Sequence, residues 1–281
     1  NSLISVDLGK SSKSVLRGIN CPLNYSIAYA SFGVKAAIAP GVPNNAATLS
    51  TIHVKAPSGL IVSAERPHPV TARHVVGQAL PDLVLGCLYQ VIPESVPAES
   101  AGALWTISLS HEGKTSFHSL NVALGGTGAR ANSDGLSTTA FPSGVGTVPI
   151  EIVESGAPVI YYKKEFRENS GGMGRFRGGL GQIIEIGCTK DLPMKMSAAA
   201  FEKITIGPLG RNGGKPGEKG CVAISNGKKI TNKGTYTIPK GSTVILKTPG
   251  GGGYGKPDLR DKKLTELDRE NQLVTINRTN K

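Results

Sequence analysis

Apolar residues in the first hundred positions fall into two kinds of run. Leu3 to Leu8 and Thr51 to Ala56 alternate with polar residues, the period-two pattern of a strand with one buried face. Leu23, Ile27, Ala30, Val34 and Ala37 recur at steps of four and three, one face of a helix that Pro40-Gly41 ends. Asn20 and Pro22 suit its cap and first turn. A second stripe, Val76, Ala79, Leu80, Leu83, Val84, Cys87, Leu88 and Val91, closes at Pro93. Pro81 within it predicts a kink or a split into two helices. Both stripes suit helices that cover a sheet, with Cys87 in the core.

From Leu104 the pattern turns to strands. Leu104 to Leu109 and Phe117 to Leu124 alternate around His111-Glu112-Gly113-Lys114, which predicts a hairpin. Further strands are expected at Val148 to Glu154, Pro158 to Glu168, Ile183 to Ile186, Met194 to Ala200, Ile204 to Ile206 and Val244 to Leu246. Cys221 to Ser225 and Lys228 to Thr231 flank Asn226-Gly227, a hairpin with a type I′ turn. The expected fold is α+β and β-rich, with two helices near the N-terminus packed on a mixed or antiparallel sheet, and Gly-rich loops. It divides into a mixed α/β region at 1–103, a β-rich region at 104–255 and a polar tail at 256–281. About the last 15 residues lack hydrophobic period, the composition of a disordered end.

A length of 281 residues suffices for one large domain or two ordinary ones. The net charge is +12, and residues 101–255 hold 18 Lys/Arg against 10 Asp/Glu, a surface that would attract anions or an acidic partner. With no RNP-type motif, zinc finger or basic helix, nucleic acid is not the expected partner. Cys21, Cys87, Cys188 and Cys221 form no CxxC pair, so structural zinc is not expected and buried thiols are. No signal-peptide pattern stands out and no apolar run approaches the ~20 residues of a membrane helix. The expectation is therefore a soluble cytoplasmic protein without membrane partners.

Candidate chemistry is sparse. His53, His68, Arg73 and His74 read as solvated loop residues, or as a metal-binding or acid–base group. Glu151 and Glu154 would lie on opposite faces of the expected strand, a poor acid–base pair. No Ser-His-Asp grouping, HExxH or EF-hand loop occurs, so no catalytic residue and no metal ligand is assigned.

Three glycine-rich stretches are more informative. Asn169 to Gly181 places six glycines with Arg175 and Arg177 in thirteen residues. Such density marks a tight turn, or a donor-rich loop able to hold a carboxylate or phosphate. It fits neither GxxxxGK[ST] nor a strand–GxGxxG–helix pattern. Gly125-Gly126-Thr127-Gly128-Ala129-Arg130, followed by Asp134-Gly135, offers space, a fixed cation and an acceptor, or an Arg-Asp pair bracing a turn. Gly250 to Gly253 shapes backbone or presents amides to a ligand.

In order and approximate spacing these stretches resemble the hydantoinase B/5-oxoprolinase family, in its C-terminal half. The family's "TPxE", "DSGGxGxxRGGxG" and "TPGGGGYG" elements correspond to Thr147 to Glu151, Asn169 to Gly181 and Thr248 to Gly255. "GGxGARxxxDG" corresponds to Gly125 to Gly135, and "GGxPG" to Gly213 to Gly217. Shorter likenesses occur at Ile19 to Pro22, Pro43 to Asn45 and Val70 to Arg73.

The resemblance implies a portion or split subunit of an ATP-dependent cyclic-amide hydrolase of hydantoinase or 5-oxoprolinase type, inactive without its partner. Gly126, Gly128, Arg130, Asp134, Ser170, Gly171, Gly172, Arg175 and Arg177 would be its substrate-binding residues. ATP and a divalent metal would sit on a hydantoinase A-like ATP-binding subunit and a hydantoinase B N-terminal half. An acetone carboxylase-type subunit, or a non-catalytic assembly subunit, are the alternatives. The chain departs from the family at Ser137 to Gly146, which lacks its His- and Asn-containing stretch, at Asn169 in place of Asp, and at Lys256 in place of Asp.

Overall fold

A computed structural model of the protein describes residues 3–275. It resolves into two compact units, residues 1–96 and 97–281, each with its own core.

In the first unit, strands β1 (Ile4–Asp7) and β2 (Ile52–Lys55) pair in parallel, Ile4 opposite Ile52 and Asp7 opposite Lys55. Helix α1 (Leu23–Ile38) buries Ala30, Val34 and Ala37, as its period predicts. A short α2 (Ala46–Leu49) is capped by Asn45, whose Oδ1 accepts from the Thr48 amide at 2.9 Å. The second stripe is two helices, α3 (His74–Gly77) and α4 (Leu80–Leu88), with Pro81 in the first turn of α4. There its missing N–H costs nothing. Ala30, Val34 and Val84 pack on Ile4, Val6, Ile52 and Val54.

Three expectations need correction here. The sheet beneath the helices is a two-stranded parallel pair, because β1 and β2 are joined through α1. Asn20 is no cap: its buried amide accepts from Val15 N and donates to the carbonyls of Val15, Arg17 and Pro69, tying three loop segments together. Cys87 is exposed, on the outer side of α4, whereas Cys21 is buried and donates to Arg73 O. Burial pushes the Cys21 thiol up to about 11, so it stays protonated and inert.

The second unit is two antiparallel four-stranded sheets. One joins β3 (Trp105–His111), β4 (Phe117–Ala123), β7 (Met194–Ala200) and β9 (Thr235–Ile238) in the order β4-β3-β7-β9. The other runs β5-β6-β10-β8, from β5 (Val159–Phe166), β6 (Gln182–Cys188), β10 (Val244–Lys247) and β8 (Cys221–Ile224). Trp105, Ile107 and Leu109 alternate inward and share one core with Ile184, Ile186, Met194, Met196, Val222, Ile224, Ile238, Val244 and Leu246.

Here too some expectations fail. The Val148 to Glu154 stretch is helix α5 (Ile150–Gly156), not a strand. Pro149 leads into its first turn, and the Glu154 carboxylate accepts from the Tyr161 amide at 2.7 Å. Helical spacing puts Glu151 and Glu154 on neighbouring positions rather than opposite faces. Ile204 to Ile206 forms no strand, while β9 had no sequence expectation. The hairpin after β8 continues only as a bridge between Ala223 and Lys229. Its turn is not type I′, since only Gly227 takes a positive φ, +92°. Finally, Lys262–Glu270 is a helix, α6, capped by the Asp261 carboxylate on Lys263 N. The expected disordered end thus contains ordered structure, and residues 276–281 lie outside the described residues.

Candidate functional site

The glycine-rich stretches of the second unit lie side by side and bond to one another through their backbones. Gly126 N donates to Pro249 O, Gly179 N to Thr127 O, Gly251 N to Gly179 O and Gly172 N to Gly251 O, all within 3.1 Å. Gly178 N closes back on Gly172 O. The chains approach so closely that a Cβ on Gly126 would fall 1.9 Å from Gly179 O, and one on Gly251 1.9 Å from Thr127 O. Glycine is required there because no side chain can pass between adjacent backbones. Most of the amides that could have cradled a phosphate are therefore spent on neighbouring carbonyls and serine hydroxyls.

Ser170 is fully buried in this bundle, donating to Arg167 O at 2.5 Å and accepting from Gly181 N. Gly171 and Gly172 pack against Gly178 O and Lys215 O. Gly128 donates to Ser100 Oγ at 3.1 Å.

The charged residues sit at the rim, in one network. The Arg260 guanidinium grips Asp134 through two bonds of 2.8 Å and reaches Asp268 at 2.7 Å. Arg177, itself buried, donates Nε to Asp268 at 3.2 Å and Nη1 to Gly178 O, while its amide donates to Asp134 at 2.7 Å. Two carboxylates thus balance two guanidinium groups. Arg130 is exposed and touches the network only at Asp134 O, 3.4 Å from its Nη2. Arg175 is exposed too, 5.4 Å over the Phe176 ring, and its carbonyl accepts from Arg260.

The expected Arg130–Asp134 side-chain pair does not form, because Arg260 takes that carboxylate with better geometry. Arg260 and Asp268 were both missed. The Asp261 cap ahead of α6 was the available signal. However, α6 exposes Leu267 and buries Asp268, so hydrophobic period could not reveal its packing face.

Burial pushes the Asp134 carboxyl up, but the Arg260 fork and charge, with the Arg177 amide, outweigh it and hold the group below the ordinary carboxylate range. Such a carboxylate is a weak base. Its contribution to stability is complete above the unfolded value of about 3.9 and is lost as pH falls through the lower folded value. Asp134→Asn should flatten the fall of the urea midpoint below pH ~4 relative to wild type. Equal acid slopes would mean that Arg260 does not hold this carboxylate.

A cavity of about 140 Å³ adjoins the network, lined by Met173, Arg177, Arg260, Thr265, Asp268 and Arg269. Among the described residues no three His, Cys, Asp or Glu side chains converge on a point. This donor set does not fit the divalent metal, and most of the glycine amides are already bonded within the bundle, so no step runs through a metal or a nucleotide phosphate on these residues. No described helix is long and apolar enough to cross a membrane.

A sequence profile of the family described as Hydantoinase B/oxoprolinase matches residues 1–257. An uncharacterized protein of Methanocaldococcus jannaschii is 31% identical over 281 residues, covering 98% of this chain and 49% of that protein. One subunit of a putative D-/L-hydantoinase of Pseudomonas sp. is 27% identical, over 97% of this chain and 48% of its own length. The crystal structure of an ATP-dependent caprolactamase from Pseudomonas jessenii shares the fold, with a TM-score of 0.80 and 24% identity over 95% of this chain and 49% of that one. The chain spans about half the length of these relatives.

Proposed function

Since the chain belongs to the hydantoinase B/oxoprolinase family, we propose that it is the C-terminal portion, or a split subunit, of an ATP-dependent cyclic-amide hydrolase. An A-type partner subunit supplies ATP chemistry, and a polypeptide corresponding to the other half of the family chain completes the site. The observation that carries this reading is that Arg130 and Arg175 both present exposed guanidinium groups beside the glycine bundle, Arg130 touching the Asp134 carbonyl and the Arg175 backbone carbonyl accepting from Arg260.

Opening a cyclic amide develops negative charge on the carbonyl oxygen and leaves a carboxylate. Fixed cations at the pocket wall lower the energy of both. Within this chain Asp134 is too acidic and too firmly paired to act as a base, and Ser170 is buried. Activation of water therefore falls to the completing polypeptide, and the role of this chain is to shape the wall and bind charge.

The test is ADP release by the assembled complex, with hydantoin, 5-oxoproline and caprolactam as candidate ring substrates. Ring-dependent turnover is expected, and Arg130→Ala should lower it about 10²-fold. Unchanged kinetics would remove Arg130 from the site. Turnover stimulated by a ketone with bicarbonate instead of a cyclic amide would replace the hydrolase with a carboxylase. Turnover that persists without this chain would reduce it to an assembly subunit.

A further inference from the structure

The β1–β2 sheet of the first unit is short of strands. Parallel pairing is slightly less stable per residue than antiparallel, and all-parallel sheets occur almost only in α/β proteins with both faces covered. Packing on α1 and α4 supports the pair from one face, while its β2 edge has no strand beside it among the described residues. In the ladder, Ile4 N donates to Thr51 O and Leu8 N to Lys55 O. Alternation then turns the N–H and C=O of Ile52 and Val54 to the opposite edge of β2. One face of the pair is covered by α1 and α4, and the other carries exposed Ser5, Asp7, His53 and Lys55.

Beside Ile52 runs a groove of about 720 Å³ between α1 and the α2 segment, with Ile27, Ala28, Phe32 and Ala36 on one wall and Leu49 on the other. Its walls are mostly apolar, and Ala28, Phe32 and Leu49 are exposed. The edge and the groove are contiguous at Ile52.

We infer that β2 is an internal strand of a larger sheet, and that its open edge and the α1–α2 groove receive an extended segment of the polypeptide corresponding to the other half of the family chain. That segment alternates in character, apolar toward α1 and polar on the side of His53 and Lys55. It adds backbone bonds to Ile52 and Val54 and seats an apolar side chain in the groove. Relatives about twice this length, of which this chain covers 49%, carry enough additional polypeptide to supply it. The inference rests on the proposed reading only in its choice of partner; the need for a strand comes from β1 and β2 themselves.

The experiment mixes this chain with the separately expressed other half of the Methanocaldococcus jannaschii relative, and in parallel joins the two by a flexible linker, so that weak affinity cannot hide the contact. Hydrogen exchange at the Ile52 and Val54 amides is expected to slow at least tenfold in the joined protein, and sedimentation should show a one-to-one complex in the mixture. Ala28→Glu and Leu49→Asp, both at exposed positions, should each weaken the mixture at least tenfold. Leu120→Asp, on β4, should leave it unchanged, with circular dichroism confirming that each variant is folded. Unprotected amides in the joined protein overturn the inference. So does protection that appears in this chain alone on self-association, which would make a second copy the occupant. Docking through β2 in an assembly without ring-dependent ADP release overturns the hydrolase alone, and ring hydrolysis with Ile52 and Val54 still exchanging freely overturns the docking alone.

Discussion

Gly126→Ala should destabilise the second unit by about 3 kcal/mol, the upper end of what overpacking costs. The new Cβ would meet Gly179 O at 1.9 Å and Gly251 N at 2.8 Å. Both are main-chain atoms held by the same ladder of hydrogen bonds, so neither can rotate aside as a side-chain tip would. Opening the gap would lengthen the bonds from Gly126 N to Pro249 O and from Gly179 N to Thr127 O together. Domains of this size are stable by about 5–15 kcal/mol, so the variant should unfold at clearly lower urea. Gly146→Ala is the comparison: nothing lies within 4 Å of its new methyl group, and its effect should stay within about 0.5 kcal/mol. Equal midpoints for the two variants would show that the backbones are not packed as described.

Asp268→Ala is expected to cost about 3–5 kcal/mol, the penalty for leaving a buried cation without its partner. Asp268 and Arg177 have side chains 9% exposed, and Arg260 11%. Without Asp268, Arg260 keeps the Asp134 carboxylate, but the Arg177 guanidinium retains only the Gly178 carbonyl and its Nε has no acceptor. The exposed pair Lys240–Asp191 (67% and 73%) provides the contrast. Water and salt screen such a pair, and Asp191→Ala should leave the urea midpoint unchanged. A double variant, Asp268→Ala with Arg177→Ala, should recover part of the loss, because the stranded charge goes with its partner. A loss below about 1 kcal/mol for Asp268→Ala would mean that water reaches the cluster.

If the proposed assembly turns over cyclic amides, the two variants also separate two ways of losing that turnover. Gly126→Ala should reduce activity in proportion to the folded fraction. Asp268→Ala frees Arg260 and Arg177 at the rim, so its kinetic defect should exceed the loss of folded protein if rim geometry matters to turnover.

The period of apolar residues by itself determined β1, β2, α1 and the β3–β4 hairpin, and Pro81 marked a split of the second stripe, which falls just ahead of it between α3 and α4. Each of those elements has one buried face, and burial leaves its spacing in the chain. The order of the glycine-rich stretches was enough to identify the family. Elements without an apolar face were a different matter. Val148-Pro149-Ile150-Glu151-Ile152-Val153-Glu154 has the β-branched residues of a strand, yet it is helical with no residue fully buried, held by Pro149 at its start and by Glu154 on Tyr161. Its contacts, not its propensities, decide it. Only the tertiary structure decided what the glycines and arginines are for. Glycine density signals close approach without naming what approaches, and here it is neighbouring main chain, glycine and non-glycine alike. Arg177 carries the same charge in the sequence as Arg130, but Asp268, ninety-one positions later, claims the one and leaves the other at the surface. Ion pairing across such separations depends on where the chain returns in space, and nothing in local composition records that.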